Sequence, residues 1–279
     1  MRAFKIDTLT VGPDQPLLII AGPCVIETLD QCLLIGQRLR DCCKSLGFSY
    51  VFKASFDKAN RSSITSPRGP GLDDGLNILA KVRQKLQVPV TTDLHESGQA
   101  KAVGQVVDLV QIPAFLCRQT DLLVAAARTG KPVNVKKGQF LSPAEMTNVV
   151  TKLAEAQSAS EGDKGIMLTE RGTFFGYNRL VNDFIGLADM MDLGYPVCFD
   201  VTHSTQQPGG LGTQSGGRPD RAPLLAKLAV TAGVQALFLE AHPHPKKALS
   251  DAATMLTLEA AEQTLADVAK LRKTAGTRE

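Results

Sequence analysis

The sequence predicts an α/β protein folded as a (β/α)8 TIM barrel, with a short N-terminal β-hairpin closing the bottom, and three observations predict it. The chain has 279 residues, close to the roughly 250 typical of one such barrel. Short apolar runs rich in Val, Ile, Leu and Phe alternate with longer segments of helical periodicity, the signature of successive β-α units. No G-x-G-x-x-G follows the first run, so an open dinucleotide-binding sheet loses its usual support.

In chain order, residues 4–9, followed by Gly12 and Pro13, open the chain as a hairpin extension spanning 1–13. Strands are expected at 17–21, 50–53, 88–92, 109–112, 133–136, 166–169, 197–200 and 236–240, which makes eight. Helices are expected at 29–46, 75–86, 120–129, 144–156, 183–192, 222–232 and 261–273. Each is long enough for the crossover that parallel strands require. The Gly/Pro-rich stretches 66–71 and 207–219 fall between these units and read as active-site loops rather than linkers, so residues 1–279 read as one catalytic domain. The polar stretch 158–164 reads as a solvated turn.

Composition narrows the function classes. With 43% hydrophobic and 21% charged residues the balance is that of a soluble globular protein. Apolar runs are too short to span a bilayer, and residues 1–7 alternate charge and apolar character instead of forming a secretory signal, so a cytoplasmic location and no membrane partner are expected. A net charge of +3, without basic and aromatic residues interleaved, argues against nucleic acid and for small anionic substrates. The six cysteines form no C-x-x-C pair and read as reduced, mostly buried thiols.

In a barrel of this kind the residues finishing the strands face the catalytic mouth. Here they are mostly polar: Cys24, Lys53 with the run Lys58 to Arg61, Asp93 and His95, Gln111, Lys136 and Lys137, Glu170 and Arg171, His203, and Glu240. Lys53, Lys58, Arg61, Lys136 and Arg171 would bring five cations to one basin, which is repulsive unless anions occupy it. Phosphate or phosphorylated-acid binding follows. Cys24, His203, Glu240 and Asp251 are residue types that bind a divalent transition metal, but their spacing is no metal motif. From spacing alone, Cys24 reads as a packed thiol.

The motifs IAGPCVIET at 20–28, FKASFDKANRSS at 52–63, DLVQIPAFLCRQTDLL at 108–123 and NVKKGQFLSP at 134–143 carry a resemblance. With FDVTHSTQQPGG at 199–210 and LEAHPHPKKALSDA at 239–252, they closely resemble the 3-deoxy-D-manno-octulosonate 8-phosphate synthases (2-dehydro-3-deoxyphosphooctonate aldolases), nearly end to end. The resemblance implies a (β/α)8-barrel transferase that condenses phosphoenolpyruvate with D-arabinose 5-phosphate and water, for lipopolysaccharide and Kdo biosynthesis. It assigns the phosphoenolpyruvate site to Lys58, Gln111, Lys136, Arg171 and His203, and the pentose phosphate site to Lys53, Ser55, Asn60, Arg61, Ser62 and Asp93, with Gln206 also binding substrate. It places Phe115 and Arg118 in a loop that reaches a neighbouring subunit's site and implies a homotetramer.

The same resemblance divides the family into a metal-requiring branch with Cys after the first strand and a metal-free branch with Asn there. Cys24 puts this chain in the first, with His203, Glu240 and Asp251 as the other ligands of one divalent ion per subunit. Iron(II) or zinc suits that mixture, and manganese or cobalt can substitute. Among these residues, Lys58, His203, Asp251 and Cys24 are expected to act in catalysis. One departure is the loop SGGRPDR at 215–221, where Arg218 and Arg221 flank Pro219 and Asp220 and the family usually places its Arg one residue after SGG. Three other readings are weighed. A sialic-acid-type synthase takes an unphosphorylated acceptor, and Arg61 and Arg118 argue against it. A heptulosonate 7-phosphate synthase using erythrose 4-phosphate typically carries a lysine-proline-arginine-threonine run where this chain reads KANRSS at 58–63. A non-catalytic phosphosugar-binding barrel would be expected to have lost part of the cation and ligand set.

Overall fold

The computed structural model describes residues 1–61, 63–160, 162–211 and 214–275. The chain opens with an antiparallel hairpin, β1 (Phe4–Ile6) and β2 (Leu9–Val11). Barrel strands then alternate with helices: β3 (Leu18–Gly22), α1 (Leu29–Leu46), β4 (Ser49–Lys53), α2 (Leu72–Leu86), β5 (Val90–Asp93), α3 (Ala100–Val106), β6 (Leu109–Ile112), α4 (Thr120–Ala127). The series continues with β7 (Val133–Lys136), α5 (Met146–Ser158) and β8 (Ile166–Glu170). A hairpin, β9 (Thr173–Gly176) and β10 (Arg179–Val181), precedes α6 (Phe184–Asp192) and β11 (Val197–Asp200). A second, β12 (Gln206–Leu211) and β13 (Gln214–Gly217), precedes α7 (Ala222–Thr231), β14 (Ala236–Glu240) and α8 (Leu258–Ala275).

The parallel strands β3, β4, β5, β6, β7, β8, β11 and β14 close into a barrel, with β14 pairing back onto β3. Four of the eight have the bounds expected from sequence, and the others differ by one or two residues. Alternation sorts each strand's side chains to two cores. Ile19 and Ala21 of β3 face the helices, whereas Leu18 and Ile20 join Val51, Leu109, Met167, Cys198 and Phe238 inside the barrel. Phe4, Ile6 and Val11 of the N-terminal hairpin pack into that inner cluster, so the hairpin closes the bottom as expected.

Helix ends follow local chemistry. Thr28 caps α1 by accepting a hydrogen bond from the Gln31 N–H, and Gly47 ends it with φ 74°, a left-handed conformation that suits glycine. The expected helix bounds hold to within three residues at each end. Three features were not expected. The seven residues of α3 are too few to show a clear period, and a capping box between Glu96 and Gln99 starts the 3-10 turn that leads into them. Residues 173–181 fold as a hairpin, and the stretch 207–219, read as a loop, holds most of the β12–β13 hairpin. The turn expected at 158–164 begins one residue later, since α5 runs through Ser158.

Candidate active site

On five of the barrel strands the inward side chains are apolar low in the barrel and polar toward the C-terminal end. Val51 is followed two residues on by Lys53, Leu109 by Gln111, Met167 by Thr169, Cys198 by Asp200, and Phe238 by Glu240, all buried. On β5 and β7 the corresponding residues are Asp93, Asn134 and Lys136. A polar floor thus lies on an apolar plug at the C-terminal mouth, where the loops after the strands meet.

At one side of this floor the sulfur of Cys24 and carboxylate oxygens of Glu240 and Asp251 all lie within 4.8 Å of one another. The Cys24 thiol donates to Asp251 Oδ2 at 3.0 Å. Burial pushes that thiol up, and the charges of Asp251 and Glu240 push it further. His203 completes the group: its Nε2 is 3.6 Å from Glu240 Oε2 and 3.6 Å from Asp251 Oδ2. On the other side of the ring, Nδ1 lies 2.8 Å from Asp200 Oδ2. A carboxylate at Nδ1 holds the proton there and leaves the Nε2 lone pair facing the acidic pair. Burial opposes the charged imidazole, but Asp200 and Glu240 outweigh it and raise its pKa.

Glu240 supplies a direct test of whether a cation fits. Its Oε1 is bound by Lys53 Nζ at 2.5 Å, while Oε2 is buried with no hydrogen-bond partner. A buried carboxylate oxygen without a hydrogen bond is costly, and it faces sulfur, imidazole and carboxylate donors, a set that suits a borderline-soft divalent ion. The residues present fit the metal that the resemblance implies.

The cations expected at the mouth are interleaved there with acids. Lys53, 1% exposed, is held by Glu240 and the Cys24 carbonyl at 2.9 Å. Lys136 pairs with Asp200 at 2.6 Å and sits 3.6 Å over the Phe238 ring. For Lys58, burial opposes the charge, yet the surrounding Cys24, Glu240, Asp93 and Asp251 raise its pKa well above the ordinary value. Burial conversely lowers the pKa of Arg171. Its Nη2 donates to Gln206 Oε1 at 2.6 Å, and its Nη1 is buried without a partner, a donor aimed at no protein acceptor. Asp93 accepts from both Ser55 and Gln111. Arg61 crosses to the loop that carries Asp251, donating to Ser250 Oγ at 2.6 Å and the Leu249 carbonyl at 3.1 Å.

The structure therefore gathers Cys24, Lys53, Ser55, Lys58, Asp93, Gln111, Lys136, Arg171, His203, Gln206, Glu240 and Asp251 around one mouth. Asn60 and Arg61 lie in the loop after β4, and Ser62 lies outside the described residues. Phe115 is half exposed beside Phe174, with ring centroids 6.4 Å apart. Arg118 is exposed and lines a cavity of about 290 Å³ against α5, with Leu141, Glu145 and Lys152. Lys137, read with the strand ends, is committed to the scaffold: it donates to the Leu141 carbonyl at 3.1 Å and lies 3.4 Å from Glu170. Sequence reasoning missed Asp200, which positions both His203 and Lys136, and missed the buried Asn134 and Thr169. Counting inward in steps of two from Lys136 and Arg171 would have found the last pair.

A closed parallel barrel whose mouth joins a metal-type donor cluster to paired cations defines the class: a (β/α)8-barrel enzyme for small anionic substrates. The chain belongs to the DAHP synthetase I family, whose model matches residues 3–275. Among its relatives is a 2-dehydro-3-deoxyphosphooctonate aldolase of Cyanothece sp., 54% identical over 264 residues and covering 95% of each chain. Proteins of the same description from Desulfatibacillum aliphaticivorans (52% identical, covering 96% of this chain and 97% of the relative) and Protochlamydia amoebophila (48%, covering 95% and 94%) are also similar.

Proposed function

We propose that this chain condenses phosphoenolpyruvate with D-arabinose 5-phosphate and water, giving 3-deoxy-D-manno-octulosonate 8-phosphate and inorganic phosphate. The observation that carries the reading is the near-full-length identity to 2-dehydro-3-deoxyphosphooctonate aldolases. The mouth supports it. C3 of the donor attacks the acceptor aldehyde, water adds to C2, and phosphate leaves by cleavage of its bond to C2, so positive charge develops at C2. Arg171 and Lys136 bind the donor's carboxylate and phosphate, with the unpaired Nη1 of Arg171 free for either, whereas Gln111, assigned by resemblance to the donor, spends its amide on Asp93 and Asn134. Lys58 with Asn60 and Arg61 holds the aldehyde against C3, contributing through orientation. Asp93 and Ser55 meet the acceptor's hydroxyls. Lys53, assigned by resemblance to the acceptor, instead holds Glu240 and the Cys24 carbonyl from below.

Cys24, His203, Glu240 and Asp251 would hold one divalent ion, iron(II) or zinc by donor type, with manganese or cobalt able to substitute. Such an ion would supply Lewis acidity to the reaction. With Nε2 of His203 given to the ion and Nδ1 held by Asp200, Asp251, which has a second carboxylate oxygen, would assist proton transfer to or from the attacking water. Binding the ion requires the Cys24 proton to leave, so affinity should fall at low pH. A homotetramer in which Phe115 and Arg118 complete a neighbour's mouth, a cytoplasmic location and a role in lipopolysaccharide biosynthesis belong to the same proposal.

Phosphate release with phosphoenolpyruvate plus arabinose 5-phosphate, against erythrose 4-phosphate, with and without chelator, tests the reading. Turnover with the pentose phosphate alone, abolished by chelation and restored by metal, is expected. Preference for erythrose 4-phosphate would make the chain a heptulosonate phosphate synthase, and no phosphate from either would favour a binding protein. Cys24→Ala should lose its metal by elemental analysis and at least ~10²-fold in turnover; full activity in a metal-free protein would remove the metal from the proposal.

A further inference from the structure

We propose that Asn134 and Thr169 are positioning residues which set the orientation of Gln111 and Asp93, and thereby the recognition of the acceptor's hydroxyl groups. The inference rests on the function proposed above. Neither residue touches the reacting atoms; they act through a hydrogen-bond chain that crosses the barrel floor. Thr169 Oγ1 donates to Asn134 Oδ1 at 2.7 Å, and Asn134 Nδ2 donates to Gln111 Oε1 at 3.2 Å. Gln111 Nε2 then donates to Asp93 Oδ1, while Ser55 Oγ donates to Asp93 Oδ2 from the other side. The four consecutive strands β5 to β8 each contribute one member, and register pairs Asp93 with Gln111 and Gln111 with Asn134.

Two properties make this chain more than packing. First, it has a sense. Every donor points toward Asp93, the one formal charge in the chain, so each amide has a single orientation that satisfies it. Turning Gln111 over would set its N–H against the Asn134 N–H and its carbonyl against the Asp93 carboxylate, losing two buried hydrogen bonds at once. Second, only one end is accessible: Thr169 and Asn134 are fully buried and Gln111 is nearly so, whereas Asp93 retains 7% exposure. The chain presents an acceptor-only carboxylate to the mouth. Such a group welcomes hydroxyls and repels phosphate or carboxylate, so it marks the place of the hydroxylated carbons of the acceptor and excludes the anionic groups of the donor. Thr169 and Asn134 therefore bear on one substrate and not the other.

The test is steady-state phosphate release by the metal-loaded enzyme, with each substrate varied at saturating levels of the other. Thr169→Val removes the first donor at almost constant volume. It should raise KM for arabinose 5-phosphate roughly tenfold, the value of one hydrogen bond near a charge, while KM for phosphoenolpyruvate changes less than about twofold. Thr169→Ser, which restores the hydroxyl, should return the acceptor KM to within about twofold of the parent. Asn134→Ser, a smaller residue that cannot bridge Thr169 to Gln111, provides a second variant if Thr169→Val does not fold. An unchanged acceptor KM, an equal rise in both KM values, or failure of serine to rescue would overturn the inference. A parent enzyme that releases no phosphate with arabinose 5-phosphate would instead overturn the proposed function.

Discussion

Asp93 carries its charge where burial opposes it. Buried surroundings alone would raise its pKa, but Lys53 and Lys58, and then His95 and Lys136, outweigh them and hold the carboxyl far below the usual carboxylate range. The sign of its effect on stability follows. A group whose folded pKa is depressed contributes stability above its unfolded value of about 3.9, and that contribution fades as pH falls below it. Asp93→Asn should destabilise the protein near neutral pH by about 3 kcal/mol, because cations are left without their counter-charge. The deficit should shrink between about pH 4 and pH 2. Denaturant unfolding of both proteins across that range checks this, and a pH-independent deficit would mean Asp93 acts only by shape. At the same scale, Asp200 shows how one acid serves two neighbours: it orients the His203 ring and holds Lys136 over Phe238.

A single barrel strand has to serve three environments, and its period of two lets it do so. Outward residues meet the helices, inward residues low in the barrel fill the plug, and the last inward residue enters the site. Gly22 marks where this arrangement is tightest. A Cβ there would lie 2.0 Å from the Lys53 carbonyl oxygen on the adjoining strand, and backbone cannot move aside as a flexible side chain can. Gly22→Ala should therefore push β3 from β4 and cost about 3 kcal/mol or more, read as a lowered unfolding midpoint. A loss below about 0.5 kcal/mol would show that the strands can separate at that point without penalty. The hairpins after β8 and β11 illustrate the opposite case. Their segments, three to six residues long and rich in glycine or exposed, are too short to show a strand period, so pairing rather than propensity makes them strands.

At the scale of the whole molecule, several of the exposed apolar side chains of the described residues lie in or beside the β9–β10 hairpin. Phe175 is 95% and Tyr177 96% exposed, and Ile185 at the start of α6 is 79% exposed. The Phe175 ring lies 6.4 Å from Phe174, which in turn faces Phe115. A grouping of this kind suits an interaction surface, and the proposed tetramer would supply its partner. The double substitution Phe175→Ser with Tyr177→Ser should shift sedimentation from the tetramer toward smaller species. A parent protein that already sediments at 29.8 kDa would refute association. Among the described residues, no helix is long and apolar enough to cross a membrane.

Much of the barrel is legible in the sequence because strand and helix periods are local. Eight short apolar runs separated by crossover-length helices permit few topologies, and the polar residue closing each run announces the mouth. Cys24, His203, Glu240 and Asp251 could be named from motifs, but their spacing over more than two hundred residues says nothing of proximity. Only barrel closure, which pairs β14 with β3, brings Glu240 beside Cys24. Likewise the sequence by itself determined which cations reach the mouth, whereas the tertiary structure decided which remain free to meet substrate. Lys53 and Lys137 became scaffold through Glu240 and Glu170, while Arg171 kept an unpaired nitrogen. The physical reason is that charge is written into a residue, but its partner is set by register and closure, which no local pattern encodes.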